Sequence, residues 1–241
     1  MSNLNAMPTH ARQNGLDRSG INRLIQVFGS MAVMGAALFL SAGRLDWTAA
    51  WVYLVLNIVI VATIGMYVAR RSPGVINERG KIGKDAKNWD KVLMLLYTVV
   101  MFGLLVVAGF DAVRFAWTSM PIAGQAVGVL GLILSMAITY WAMLSNPFLS
   151  TTVRIQEERG HQVATTGPYQ IVRHPMYVGV ILMWLSTALI LGSCWALVPG
   201  VIIAAIFVVR TALEDRLLQA ELPGYADYAK RVRRRLIPAV W

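Results

Sequence analysis

A polar stretch between two long apolar regions carries most of the side chains that could do chemistry. It reads Thr165-Thr166-Gly167-Pro168-Tyr169-Gln170-Ile171-Val172-Arg173-His174-Pro175-Met176-Tyr177-Val178-Gly179, and His161 lies just upstream. A second polar stretch follows about 35 residues further on and reads Arg210-Thr211-Ala212-Leu213-Glu214-Asp215. We expect the two stretches to close over a single small molecule where a polar loop meets a membrane.

The first of these stretches contains the start of a helix. Proline lacks a backbone N–H and is tolerated in the first helical turn, and an apolar run begins directly after Pro175. This places His174 at the helix cap and Tyr177 one turn into the helix. Interfacial anchoring explains any one of these residues equally well, because Arg, His and Tyr favour the lipid headgroup level. Their combination with Gly167-Pro168-Tyr169 favours a functional site.

The second stretch places two opposite charges on one helix face. Arg210 and Glu214 are four residues apart, whereas Asp215 is expected to point elsewhere. The alternative is a surface ion pair worth less than about 1 kcal/mol. However, ionisable groups that abut an apolar span are functional candidates by default. The planar guanidinium of Arg210 suits a carboxylate, and Glu214 could offset a cationic ligand.

The composition sets the fold class that must position these residues. The 241 residues are 57% hydrophobic and 14% charged, which is too apolar for an ordinary soluble domain. The sequence therefore predicts an all-α, polytopic integral membrane helical bundle of about six transmembrane segments. The predicted spans are 24–42, 47–69, 92–110, 122–144, 176–191 and 194–209. The last two have roughly the minimum length, so they are either two upright spans or a tilted helical hairpin.

The same pattern predicts three regions. Residues 1–22 are polar, contain no signal-peptide pattern and are expected to form a disordered arm. Residues 23–145 hold four spans, with a basic loop at 70–91. Residues 146–241 hold the polar stretches, the last two apolar runs and C-terminal helices interrupted at Pro223-Gly224.

The distribution of basic residues predicts the orientation. With the N-terminus inside, all but Arg44 and Arg114 of the 22 Lys and Arg residues fall on the inner side, as the positive-inside rule requires. Both termini and the site should then face the cytoplasm, at the inner membrane if the cell is bacterial. The net charge of +10 thus requires no nucleic-acid partner. The single cysteine, Cys194, excludes an internal disulfide and a cysteine-rich zinc site, and no metal is expected.

The C-terminal region resembles the isoprenylcysteine carboxyl methyltransferase family, which overlaps with the phospholipid methyltransferases. The resemblance covers about residues 146–238. The residues that carry it are 161–169 (HQVATTGPY), 173–179 (RHPMYVG), Arg210 with Glu214-Asp215, and 224–228 (GYADY) before 235–238 (RLIP).

The resemblance implies a methyltransferase that uses S-adenosyl-L-methionine and modifies a lipophilic or small acceptor. A carboxylate like that of isoprenylcysteine is the favoured acceptor. Carried over by motif, the residues that contact the cofactor are Arg154, His161, Gln162, Val163, Ala164, Tyr169, His174, Pro175, Met176, Tyr177 and Glu214. Arg210 matches the substrate-side arginine, and Arg210 and Glu214 are the expected catalytic residues. The bilayer and the acceptor are the expected partners.

Two other functions remain open on the sequence alone. Membrane reductases of the sterol type have a similar His-Pro-x-Tyr segment and C-terminal tyrosines, and they use NADPH. The acidic pair after Arg210 favours methylation over reduction. The second alternative is a membrane protein without enzymatic activity that binds lipid.

Overall fold

The described residues of the computed structural model, 15–80 and 86–237, form helices and turns without a β-strand. The all-α prediction is confirmed. Within these ranges the α-helices are α1 (Arg18–Ala42), α2 (Thr48–Arg71), α3 (Pro73–Gly80), α4 (Asn88–Gly109), α5 (Ile122–Ser145), α6 (Pro175–Ile190), α7 (Leu197–Glu221) and α8 (Tyr225–Arg231).

Five of these helices are long and apolar enough to cross a bilayer: α1, α2, α4 with its π-helical end, α5 and α7. The sixth predicted span, α6, has 16 residues and a length of only about 24 Å. A typical hydrocarbon core is about 30 Å thick. The prediction of about six spans therefore corresponds to five long helices and one short one. The last apolar run and the polar segment after Arg210 form one continuous helix, α7, of 25 residues.

Two boundaries differ from the sequence prediction. The first helix begins at Arg18 rather than near residue 24, because Asp17 caps it by accepting a hydrogen bond from the Gly20 N–H at 2.9 Å. The basic loop at 70–91 contains a further helix, α3, which begins at Pro73. Its apolar residues Val75 and Ile76 are buried, so a two-turn helix packs where only a loop was expected. Residues 1–14 and 81–85 of the predicted arm and loop lie outside the described ranges.

Helices α5 and α6 pack against each other with small residues between them. A Cβ atom added to Gly179 would lie 2.2 Å from Thr139 Oγ1 and 2.9 Å from the Ser135 carbonyl oxygen. No side chain fits there without a shift. The glycine that ends the Arg-His-Pro-Met-Tyr-Val-Gly sequence is thus a packing residue that brings the N-terminal part of α6 against the second half of α5.

Polar contacts close the bundle at both ends. At one end the buried Asp111 accepts hydrogen bonds from the Ser193 hydroxyl at 2.6 Å and the Trp195 N–H at 3.2 Å, joining α4 to the α6–α7 turn. At the other end Glu78 binds Arg154 and Asp90 binds Arg210. The segments predicted to share one side of the membrane therefore lie at one end of the bundle.

Candidate functional site

A cavity of about 760 Å³, including its open mouth, lies at the end of the bundle where the polar segments meet. Every site residue predicted from the sequence except Pro175 lines it: Arg154, His161, Gln162, Val163, Ala164, Tyr169, His174, Met176, Tyr177, Arg210 and Glu214. Pro175 is buried at the first position of α6, with His174 at the N-cap as predicted.

The wall formed by residues 161–164 has no regular secondary structure and has unpaired backbone groups. Within the described part of the chain, the N–H groups of Gln162, Val163 and Ala164 make no hydrogen bond. Buried or half-buried backbone groups are normally paired with protein, water or a ligand. This wall can therefore supply donors to a bound molecule.

His161 fixes one end of this wall. Its ring packs on Phe148 with centroids 4.8 Å apart, and its Nδ1 accepts a hydrogen bond from the Gln156 N–H at 3.3 Å. Burial and the nearby charges of Arg159 and Arg154 lower the pKa of His161 to about 4. The imidazole is accordingly neutral near pH 7, which its role as an acceptor requires.

The turn at Gly167 ends the wall and positions Tyr169. Gly167 has φ +60°, and a Cβ atom there would lie 2.2 Å from Ser145 Oγ. Both the backbone conformation and the close approach require glycine. Tyr169 is buried, its backbone carbonyl accepts a hydrogen bond from the Tyr228 hydroxyl at 2.7 Å, and its own hydroxyl accepts one from Asn146 Nδ2 at 3.4 Å.

Arg210 and Glu214 share a helix face, as predicted, but do not form an ion pair. The Arg210 guanidinium is buried, lies 5.1 Å from the Tyr177 ring centroid and binds both oxygens of Asp90, with Nε–Oδ1 2.7 Å. Glu214 instead accepts a hydrogen bond from the Tyr177 hydroxyl. The surface ion pair considered in the sequence analysis is thus wrong, because each side chain has a different partner.

Asp215 turns away from Glu214, as expected, and into the protein. It is fully buried and accepts two hydrogen bonds from Arg173, at 2.8 and 2.9 Å. Arg235 and the Tyr225 hydroxyl also donate to it, each at 2.9 Å, and His174 Nε2 lies 3.4 Å away. Asp215 therefore fastens the start of α6 and the C-terminal segment to α7.

Arg154 forms the outer rim of the cavity between two carboxylates. Its Nη2 lies 2.6 Å from Glu78 and 2.7 Å from Glu158. Hydrogen bonds to both carboxylates raise the pKa of the guanidinium despite its burial. Arg154 thus joins α3 to the loop that forms the pocket wall.

The basic and acidic residues that line the cavity differ in whether they have a partner of opposite charge. Each arginine that lines it is paired with a carboxylate: Arg154 with Glu78 and Glu158, Arg173 with Asp215, Arg210 with Asp90. Glu214 is the acidic residue among the lining residues, and among the described residues it has no salt bridge. The cavity therefore has a carboxylate available for a cationic group.

The sequence analysis missed Asp90 and Glu78. Asp90 is fully buried in the first turn of α4, and its Oδ2 also accepts a hydrogen bond from the Val153 N–H at 2.8 Å. An acidic residue directly before an apolar run is the signal that could have revealed it. No such pattern pointed to Glu78, because α3 itself was not predicted.

Most residues that line this cavity belong to a region that is similar to known proteins. Residues 122–222 match the profile of the family described as phospholipid methyltransferase. The resemblance predicted from the sequence is confirmed over this part of the chain, which spans α5, both polar stretches, α6 and α7.

Three characterised proteins are similar to the chain over part of its length. A nickel-cobalt-cadmium resistance protein, NccN, of Alcaligenes xylosoxydans xylosoxydans is 27% identical over 57% of this chain and 59% of its own length. Protein-S-isoprenylcysteine O-methyltransferase B of Arabidopsis thaliana is 32% identical over 33% of this chain and 42% of its own. A cobalt-zinc-cadmium resistance protein, CzcN, of Cupriavidus metallidurans (strain ATCC 43123 / DSM 2839 / NBRC 102507 / CH34) is 31% identical over 44% and 45%. The matched region thus spans between two fifths and three fifths of each relative.

Proposed function

We propose that the chain is a membrane methyltransferase that uses S-adenosyl-L-methionine and methylates a lipophilic acceptor. The observation that carries the proposal is the cavity in which Glu214 is available for a positive charge while the arginines are already paired. The match to the phospholipid methyltransferase family supports it.

The donor set fits this cofactor. Glu214, held by the Tyr177 hydroxyl, lies where it can balance a sulfonium charge. The free N–H groups at 162–164 can donate to polar atoms of the ligand, and Tyr169 with the neutral His161 supplies flat, half-apolar surfaces. Bound in this cavity, the cofactor would supply an electrophilic methyl group to the acceptor.

The protein's contribution to such a reaction is alignment and removal of water. Holding the reactants in an in-line, near-attack geometry can supply several kcal/mol, and a dry site strengthens fixed charges. Asp90 binds Arg210 and holds it beside Tyr177 in the wall of the cavity. We assign Arg210 to the orientation of the acceptor and Glu214 to the balance of cofactor charge.

The favoured acceptor is a carboxylate such as that of an isoprenylcysteine, the substrate class in the name of the Arabidopsis relative. In that case the nucleophile is an anionic oxygen, which requires no general base. The acceptor would reach the cavity sideways from the lipid, and the water-soluble cofactor would enter from the cytoplasm.

The test is binding of radiolabelled S-adenosyl-L-methionine to the purified protein in detergent. Glu214→Gln should weaken binding about tenfold or more, because a charge-assisted contact is lost. Asp227→Asn, which alters an exposed carboxylate on α8, should bind like the wild type. Labelled NADPH, measured in parallel, tests the reductase alternative.

Two outcomes would reject the proposal: wild-type protein that binds NADPH but not S-adenosyl-L-methionine, or a Glu214→Gln variant with unchanged affinity. If neither outcome is found, lipid extracts incubated with the protein and methyl-labelled S-adenosyl-L-methionine would identify the acceptor.

A further inference from the structure

Residues 151–153 are bound to the salt bridge between Arg210 and Asp90 in the wall of the cavity. Arg210 Nη2 donates a hydrogen bond to the Thr151 carbonyl oxygen at 3.0 Å, and the Val153 N–H donates one to Asp90 Oδ2 at 2.8 Å. Thr152 lies between these two backbone contacts, and both Thr152 and Arg210 line the cavity. The neighbours of Thr152 on both sides therefore fix its backbone beside the arginine assigned to the acceptor.

The Thr152 hydroxyl is buried without a hydrogen-bond partner. Within residues 15–80 and 86–237, its Oγ1 is the single buried side-chain nitrogen or oxygen atom in this condition. An unpaired hydroxyl is costly to bury, and buried polar groups are as a rule paired with protein, water or a ligand. Thr152 as a whole is half-buried and lines the cavity, so a change of its side-chain rotamer can present the hydroxyl to a bound molecule. A polar atom of a ligand would supply the missing partner.

Arg210 keeps donors that its salt bridge does not use. Its Nε and Nη2 bind Asp90 and the Thr151 carbonyl oxygen, whereas its Nη1 makes no hydrogen bond with the described residues. A guanidinium carries five N–H donors, and a hydroxyl can also donate. Donors from both Arg210 and Thr152 suit a ligand group that accepts hydrogen bonds, such as a carboxylate. An ammonium group, which carries donors alone, fits the carboxylate of Glu214 instead.

We propose that Thr152, together with Nη1 of Arg210, binds the carboxylate of the acceptor and so selects an acidic acceptor over an amine. This inference rests on the proposed function and adds a residue that determines the substrate class. The hydroxyl donates to a carboxylate oxygen and thereby gains the partner that it lacks in the empty cavity. Such a residue lowers the stability of the empty protein while it raises the affinity for the acceptor, and this combination distinguishes it from a structural residue.

The experiment measures equilibrium binding to the purified full chain in neutral detergent, without methyl transfer. The probe pair is N-acetyl-S-farnesylcysteine and its carboxamide, which share the apolar tail and differ in the charge of the acidic group. The wild type should bind the carboxylate about tenfold more tightly, the usual value of a hydrogen bond to a charged group. Thr152→Val, which replaces the hydroxyl with a methyl group, should lose most of this preference. Thr152→Ser, which keeps the hydroxyl, should retain it.

The unfolding temperature supplies a second readout. Thr152→Val should unfold at the same temperature as the wild type or at a higher one, because it removes an unpaired buried hydroxyl. Thr98→Val is the matched control, since Thr98 is exposed on α4 and its hydroxyl donates to the Met94 carbonyl oxygen at 2.8 Å. This variant should keep the full preference for the carboxylate.

A second probe pair tests whether the hydroxyl binds the cofactor instead, since S-adenosyl-L-methionine also carries a carboxylate. The pair is S-adenosyl-L-methionine and its decarboxylated analogue, and the ratio of their affinities should be equal in the wild type and in Thr152→Val. Binding of S-adenosyl-L-methionine to the wild type also tests the proposed function. Failure of that function is thus distinguished from failure of the Thr152 assignment.

Four results would overturn the assignment of Thr152. The first is a wild type that binds the farnesylcysteine carboxylate and carboxamide equally, and the second is a Thr152→Val variant that keeps the full preference. The third is a loss confined to the cofactor pair, which would assign the hydroxyl to S-adenosyl-L-methionine. The fourth is a clearly lower unfolding temperature for Thr152→Val, which would make the hydroxyl a structural group.

Discussion

Arg210 of α7 forms a two-point salt bridge with Asp90, which precedes it by 120 residues and lies in the first turn of α4. Nε donates to Oδ1 at 2.7 Å and Nη2 to Oδ2 at 3.3 Å, and both side chains are at most 5% exposed. The salt bridge joins α4 to α7, which belongs to the region that matches the phospholipid methyltransferase profile. It also gives the predicted substrate-side arginine a fixed position.

Asp90→Ala should therefore be strongly destabilising. Removing one partner of a buried ion pair leaves the other charge uncompensated, at a cost of about 3–5 kcal/mol, and the Val153 N–H loses its acceptor as well. The measurement is thermal unfolding in detergent followed by tryptophan fluorescence. Asp46→Ala, which removes the exposed partner of Arg44, is the control and should unfold like the wild type. Equal unfolding temperatures for both variants would contradict this role of Asp90.

Asp215 should hold the C-terminal segment against the helical bundle. Asp215→Asn weakens its bonds to Arg173 and Arg235, so the segment after α8 should detach before the bundle unfolds. Limited trypsin digestion should then cleave near Arg233 and Arg234 much faster than in the wild type. Asp227→Asn, in an exposed pair with Lys230, should leave the cleavage rate unchanged. Similar rates in the two variants would count against the fastening role.

Two glycines with similar backbones should differ in their tolerance of alanine. Gly160 has φ +62° and open space where a Cβ would lie, whereas at Gly167, with φ +60°, that atom would be 2.2 Å from Ser145 Oγ. Gly160→Ala should cost about 1 kcal/mol for the left-handed backbone alone. Gly167→Ala should cost about 1 to 3 kcal/mol more because of overpacking. It should also weaken binding of the proposed cofactor, S-adenosyl-L-methionine, since it displaces Tyr169. Equal free energies of unfolding for the two variants would show that the space beside Gly167 accommodates a Cβ atom.

His161 should make the stability of the protein depend on pH. Its pKa in the folded state, about 4, is below the ordinary value of 6.5. Between these values the unfolded chain binds more protons than the folded one, so this contribution to stability is complete above pH 6.5 and is lost as the pH falls toward 4. Protonation also removes the Nδ1 acceptor used by Gln156.

The measurement is the unfolding temperature between pH 4 and 7. His161→Gln should show a shallower decline over this range than the wild type, with the two curves converging at the acidic end. Parallel curves would mean that His161 titrates normally in the folded protein.

The sequence was sufficient for much of this description. Uncharged apolar runs predicted α1, α2, α4, α5 and α7, and the Pro175 signal located the start of α6 at the correct residue. The residues named through the resemblance, other than Pro175, line one cavity, and their roles stay predictions. These features depend on local pattern, which a single sequence displays.

What the sequence did not reveal depends on contacts between distant residues. The helical spacing of Arg210 and Glu214 predicted a shared face correctly, but not that Asp90 would take the arginine and Tyr177 the glutamate. Asp215, predicted only to point elsewhere, binds groups from two other segments. Helix α3 was missed because eight residues that include Pro73 and two glycines resemble a loop.

The shortness of α6 bears on the membrane around the protein. At 16 residues, or about 24 Å, it is some 6 Å shorter than a typical hydrocarbon layer. The turn that follows it has its polar groups satisfied by Asp111 and can therefore lie below the lipid headgroups. Acyl-chain length then becomes a physical variable for this protein: a thick bilayer submerges the turn further, and a thin one brings it level with the surface.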